Sequence, residues 1–178
     1  TNFAKHNMKE AFDTIVAFGK NTQYPHYIPA NVKKRKNEII LVDFGAEFDS
    51  YQSDLTRIFF LDKISKSKKL YYIYETVFEI KEELMKRVKA GVKASEIDKL
   101  ARMLAKKKGF GKNYLHSTGH GVGLDIHEAP YVSMHSNEIL NENMIITIEP
   151  GIYVKGLGGI RLEDTIRVTK TGYEILTK

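Results

Sequence analysis

The chain has 178 residues, 42% of them hydrophobic, enough apolar material for one well-buried core but not comfortably for two. It contains no cysteine, which excludes disulfide scaffolds, zinc ribbons, thiol nucleophiles and iron–sulfur clusters together, so any metal site must be built from His, Asp and Glu. The formal charge of +6 comes from 22 lysines and 6 arginines against 22 acidic residues; such a balance can suit an anionic partner, but the lysine excess reads first as a solvated surface.

In chain order, residues 11–18 read as a strand ending at Gly19, and residues 38–44, rich in Ile, Leu and Val, as a second, buried strand. Residues 45–50 offer a turn and residues 51–61 a returning strand, giving an antiparallel pair. Between residues 65 and 89 the apolar positions Leu70, Ile73, Val77, Ile80, Leu84 and Val88 recur at threes and fours, the pattern of a long amphipathic helix. Gly91 is expected to stop it. Ser95 followed by Asp98 reads as an N-cap opening a second helix that runs to Lys108 before Gly109. A glycine-rich stretch spans residues 119–123, and strands around 144–153 and 160–169 read as a second antiparallel pair. The class is α+β in a single domain. No repeat or low-complexity linker interrupts it. No segment approaches the ~18 to 20 apolar residues of a membrane span, and the first thirty residues lack a signal-peptide pattern, so a cytoplasmic location is the default expectation. The sequence opens at Thr1 rather than Met, which suits a processed chain or an excised fragment.

Four acids stand in or beside apolar strands. Asp43 follows Ile39-Ile40-Leu41-Val42, Asp54 precedes Leu55, Glu149 follows Ile145-Ile146-Thr147-Ile148, and Glu163 lies between Leu162 and Asp164. Burying one carboxylate costs several kcal/mol unless it is paired or coordinated, so four together call for cations, and two divalent ions would neutralise them. The segment from His116 to Pro130 adds His116, His120 and His127 among close-approach glycines. Oxygen-rich ligation with an imidazole suits Mn²⁺, Co²⁺, Fe²⁺ or Zn²⁺ without choosing among them. The four prolines stiffen backbone beside these groups, Pro25 and Pro29 around His26, Pro130 after His127-Glu128-Ala129, and Pro150 after Glu149.

Five segments carry a family resemblance: Val42-Asp43-Phe44-Gly45, Ser53-Asp54-Leu55-Thr56-Arg57, His120-Gly121-Val122-Gly123-Leu124 with its continuation to His127-Glu128-Ala129-Pro130, Ile148-Glu149-Pro150-Gly151, and Arg161-Leu162-Glu163-Asp164. In this order and spacing they resemble the catalytic domain of the pita-bread metallopeptidases, the family of methionine aminopeptidases, aminopeptidases P and prolidases. The resemblance implies a curved antiparallel sheet covered by helices, with a dinuclear metal site on its concave face. It implies that Asp43 chelates one metal, that His120 and Glu149 hold the other, and that Asp54 and Glu163 bridge them, with a water or hydroxide between the ions as nucleophile. On the same resemblance Glu149 relays the proton, His26, His116 and His127 are active-site histidines, and Arg161 is a supporting arginine of the proline-directed branch.

The segments around Asp54 and Arg161 are more similar to the Xaa-Pro branch than to methionine aminopeptidases. Prolidases commonly carry an arginine after the position of His127, whereas residues 130–144 hold none and Tyr131 stands at the nearest place. That favours release of an N-terminal residue from Xaa-Pro peptides, with prolidase-type dipeptidase activity as the alternative and Mn²⁺ as the first metal expected. The expected partners are peptides with proline in second position, and a homodimer is compatible with the family; neither nucleic acid nor membrane is expected. Residues 1–178 are expected to be a C-terminal catalytic fragment lacking the N-terminal domain and first helices usual in this branch. Two rival readings compete with this one. The basic runs Lys33-Lys34-Arg35-Lys36 and Lys106-Lys107-Lys108 would serve a non-catalytic pita-bread module binding nucleic acid or protein, and a creatine-type amidinohydrolase would use the histidines without metal. Retention of all five metal-competent residues argues against both. His6 and His135 are given no role.

Overall fold

Each long stretch of alternating or 3.6-periodic apolar residues finds a regular element in the computed structural model, which describes residues 2–31, 39–61 and 68–177. The order is α1 (Asn2–Lys5), β1 (Lys9–Glu10), β2 (Ile15–Phe18), a 3-10 turn at Gly19–Gln23, β3 (Ile39–Phe44), β4 (Ala46–Phe48), β5 (Tyr51–Gln52), β6 (Leu55–Phe60), α2 (Lys68–Met85) and α3 (Ala94–Lys107). There follow a 3-10 turn at Gly111–Asn113, β7 (Gly119–Gly121), β8 (Glu128–Val132), β9 (Ile145–Ile148), β10 (Gly151–Val154), β11 (Gly158–Arg161), β12 (Asp164–Val168) and β13 (Tyr173–Ile175).

The strands form antiparallel sheets in the orders β2-β3-β6, β13-β12-β9-β7-β8, β1-β4-β5 and β10-β11. In β9 the period of two sends Ile146 and Ile148 into the core and Thr147 to the opposite face. Ile152 of β10 and Ile160 of β11 do the same. These meet Ile73, Val77, Ile80 and Leu84 of α2 and Ile97 and Ala101 of α3, all essentially inaccessible. Each such isoleucine or leucine contributes about 1.5–3 kcal/mol of burial, which fixes the helices on one side and leaves the other side of the sheets to the polar residues.

Several boundaries differ from expectation for local reasons. The first expected strand ends at Gly19 as read, where Gly19 adopts φ 53° and begins a 3-10 turn, but it starts only at Ile15, residues 11–14 forming a bend ahead of β2. The expected turn at residues 45–50 holds a short strand, β4, whose hairpin with β5 is closed by positive φ at Asp49 and Ser50. The expected returning strand splits at Ser53–Asp54, where Ser53 bonds back to Ala46 and only β6 pairs with β3, with Asp43 opposite Thr56. The start of the expected long helix lies partly outside the described residues; its end comes at Met85, ahead of Gly91. Ser95 is no cap. Lys93 holds that position without a side-chain bond, and Ser95 and Asp98 are buried within α3. The second expected strand pair is two ladders, β9 with β12 and β10 with β11, and Glu149 and Glu163 occupy the two crossings between them. Among the described residues no helix is long and apolar enough to cross a membrane. The basic run at residues 33–36 lies outside the described residues.

Candidate metal centre

Asp43, near the end of β3, is buried because Ile39 and Leu41 precede it on the same face of the strand. Asp54 is held just before β6 by its carbonyl, which accepts from Thr165 Oγ1 at 2.7 Å. His120 sits in the middle of β7, where Gly119 and Gly121 are required by close approach: a Cβ on Gly119 would stand 2.0 Å from the carbonyl oxygen of Thr147, and one on Gly121 2.4 Å from that of Ala129. Glu163 is 2% exposed, and its Oε2 accepts from Thr56 Oγ1 at 2.6 Å. Asp54, His120 and Glu163 each offer one ligand atom within 4.8 Å of the others, a buried triad able to coordinate a divalent metal. Glu149 Oε1 lies 3.3 Å from His120 Nε2, and Asp54 Oδ2 lies 3.7 Å from the same nitrogen.

All of these, with His26, His116, His127 and Arg161, line one cavity of about 360 Å³. Phe12, Ile15, Pro25, Ile126 and Tyr131 supply its less polar wall. His26 and His127 are exposed at this cavity, and the ring of His127 lies 4.3 Å from that of His120. His6 and His135 are exposed and do not line it.

Partners fix the imidazole tautomers. The Gly121 carbonyl lies 3.0 Å from His120 Nδ1 and can only accept, so Nδ1 carries a proton and Nε2 is aimed at the carboxylates. His116 Nδ1 likewise donates to the Ser117 carbonyl at 2.8 Å. Its Nε2 then accepts from Tyr153 Oη at 2.8 Å, while that hydroxyl accepts from Arg161 Nη1 at 2.9 Å. Arg161 also donates to Asp43 Oδ2 at 2.5 Å, Thr56 Oγ1 at 2.9 Å and the Pro25 carbonyl at 3.2 Å.

The carboxylates repel one another in a dry place. Burial, reinforced by the charges of Asp43 and Glu149, pushes Asp54 up to about 7. Burial and the other three acids push Glu163 well above the usual carboxylate range. Burial also raises Asp43 despite Arg161. For Glu149 burial acts upward too, but the His120 hydrogen bond and the charges of His116 and Arg161 together outweigh it and hold it down. His120 is raised: burial works against its charge, and Glu149 prevails. Burial lowers His116 and His127. One further observation favours a cation: Asp43 Oδ1 is buried with no hydrogen-bond partner, a state that a metal ion beside it would relieve.

Sequence reasoning missed Tyr153, the link between Arg161 and His116, and gave Thr56 no role although it stands within a quoted motif. Gly151 signals the former, since a Cβ there would lie 2.6 Å from Tyr153 Oη and 2.8 Å from His116 Nε2.

A model of metallopeptidase family M24 matches residues 1–170. The chain belongs to metallopeptidase family M24. This M24 chain is 42% identical over 170 residues to the Xaa-Pro dipeptidase of Pyrococcus furiosus, covering 96% of this chain and 48% of that one. Among solved structures it is similar to an X-Pro aminopeptidase from Thermotoga maritima (38% identity, TM-score 0.91, 95% of this chain and 47% of that one). It is also similar to an Xaa-Pro dipeptidase from Bacillus anthracis (40% identity, TM-score 0.92, 96% and 47%). The M24 chain therefore spans about half the length of the relatives it matches. The expected α+β pita-bread fold, with antiparallel sheets covered by helices, is the one observed.

Proposed function

We propose that this M24 chain is a metallo-exopeptidase domain that hydrolyses the peptide bond before proline near a peptide's N-terminus, using two divalent cations. What supports this above all is the charge balance of the cavity: Asp43, Asp54, Glu149 and Glu163 face one permanent cation, Arg161, and Asp43 Oδ1 is left without a partner. Asp43 and Asp54 would hold one ion and His120 and Glu149 the other, with Asp54 and Glu163 between them. Ions there, Mn²⁺ first and Co²⁺, Fe²⁺ or Zn²⁺ as alternatives, would polarise the scissile carbonyl and lower the pKa of a water.

The protein's own groups do the rest. Glu149 Oε1 faces His120 while Oε2 lies 3.9 Å from His116 Nδ1, so Oε2 is the acceptor for the proton released in the attack and its donor to the leaving nitrogen. A prolyl nitrogen has no N–H in the intact bond and must gain that proton to leave. His127 and His26, at the cavity opening, orient the scissile carbonyl by hydrogen bonding to its oxygen. Phe12, Ile15 and Ile126 exclude water and pack on the apolar parts of the substrate.

Aminopeptidase-type release from longer peptides is favoured over dipeptidase action because residues 130–144 contain no arginine to meet a dipeptide's carboxylate and Tyr131 lines the cavity instead. The test is hydrolysis by the Mn²⁺-loaded protein of an Xaa-Pro-Xaa peptide, an Xaa-Pro dipeptide and Met-Ala-Ser. Faster release from the first is expected. Preference for the second would make it a prolidase, and inactivity on all three would favour a binding module.

A further inference from the structure

Outside the cavity, the most deeply buried carboxylate among the described residues is Asp98 on α3, with no exposed surface. Its four acceptor positions are filled. Oδ1 accepts from Thr118 Oγ1 at 2.7 Å and from the Thr118 N–H at 3.0 Å, a donor shared with the Val132 carbonyl at 2.9 Å. Oδ2 accepts from the Met134 N–H and from Arg102 Nε, both at 2.8 Å. Arg102, one turn along α3, donates Nη2 to the His116 carbonyl at 2.8 Å and Nη1 to the Tyr114 carbonyl at 3.3 Å.

Apart from their bond to each other and the one Asp98 accepts from the Met134 N–H, both side chains spend their hydrogen bonds on one stretch of chain, the segment that delivers His116 and then His120 to the cavity. Thr118 extends the connection, because its carbonyl accepts the N–H of Glu149 at 2.8 Å. Neither Asp98 nor Arg102 lines the cavity. The core contacts of α3 are made by other positions, Ile97, Ala101 and Ala105. Asp98 is fully buried and Arg102 partly so, and beyond their own bond the pair holds the backbone of Tyr114, His116, Thr118 and Met134.

We propose that Asp98 and Arg102 are a positioning pair: from the helix layer they set the backbone of His116, and through Thr118 that of Glu149, in the geometry the reaction needs. The inference rests on the function proposed above, and outer partners of this kind typically cost 10–100-fold in metal affinity or activity when removed.

Three variants test it in the Mn²⁺-loaded protein: Arg102→Lys, which keeps the charge and loses the fork; Arg102→Ala, with methylguanidinium added back; and Asp98→Asn. The Arg102 side chain is 32% exposed, so its replacements are expected to fold even if Asp98→Asn does not. The readouts are kcat and KM on the preferred peptide and the thermal midpoint, with the imidazole nitrogen resonances of His116 and His120 recorded on the same proteins loaded with diamagnetic Zn²⁺ in place of Mn²⁺. The expected result is a fall in kcat of about tenfold or more with KM little changed, displaced His116 resonances, and partial recovery of kcat in Arg102→Ala with methylguanidinium. Unmoved resonances, or a loss of activity matching only the unfolded fraction, would overturn it. Were the parent protein to cleave no Xaa-Pro peptide, the proposed function would fall, and the resonances would still decide whether the pair positions His116.

Discussion

Replacing Arg161 with methionine removes the one permanent cation from the carboxylate cluster while roughly keeping volume. Arg161 is 4% exposed and bonded to Asp43, Thr56, Tyr153 and the Pro25 carbonyl. Breaking a buried ion pair by removing one partner typically costs about 3–5 kcal/mol, because the remaining charge is stranded. Asp43 can shed part of that cost by taking a proton, being already raised by burial, which holds the cost near the lower figure. For a chain of this size each kcal/mol moves the thermal midpoint by about 2–4 °C, so a fall of roughly 10 °C is expected in chelator. With saturating Mn²⁺ the gap between parent and Arg161→Met should narrow, since a metal at the cluster compensates the same carboxylate. Circular dichroism melts of both proteins, in chelator and in Mn²⁺, make the comparison. A shift below about 2 °C in chelator, or a gap that widens with metal, would refute the electrostatic reasoning.

Three further outcomes follow from the same geometry. Asp54, pushed up to about 7, keeps a proton in the folded, metal-free protein above pH 4 that the unfolded chain releases, and Glu163 is raised in the same direction. The contribution of these two acids to stability therefore falls as pH rises towards 7, against the opposite contribution of His116 and His127. In Asp54→Asn melts at several pH values the fall should be smaller, as it should be with Mn²⁺ competing with those protons. Thr56→Val removes the donor to Glu163 and leaves Arg161 Nε unsatisfied, so a loss of about 1–3 kcal/mol in denaturant titration is expected, with Mn²⁺ affinity about tenfold weaker by calorimetry. Gly119→Ala would drive a Cβ against the Thr147 carbonyl, whereas Gly172→Ala meets nothing within 4 Å; the first should cost about 1–3 kcal/mol or more and the second should be close to neutral.

The elements that were legible in the sequence are those whose residues face one core. The stripe from Leu70 to Val88 and the β-branched run at Ile39–Phe44 have no alternative burial, and they appear almost as read. The misread places are those where tertiary partners override local signals. Ser95 and Asp98 have capping chemistry, yet Asp98 is drawn into bonds with Thr118 and Met134, 20 and 36 residues away. The break between β5 and β6 at Ser53–Asp54 comes with bonds from Ser53 back to Ala46, a tertiary arrangement that strand patterning does not anticipate. Strand β8 escaped notice because its apolar positions are interrupted by Pro130. At the site, the four acids stood out by their place beside apolar strands and the histidines and Arg161 by the family resemblance, and the structure brings them to one cavity. Tyr153 and Thr56 did not stand out, since a buried tyrosine or threonine in a strand is ordinary until its hydroxyl partners are known.

Metal content decides the matter. After reconstitution with Mn²⁺ and removal of free ion, elemental analysis of the parent chain should give two equivalents, and Asp54→Ala should lose metal and hydrolysis of Xaa-Pro peptides together. A stoichiometry well below two in the parent, or undiminished metal in Asp54→Ala, would contradict a dinuclear centre built on Asp43, Asp54, His120, Glu149 and Glu163.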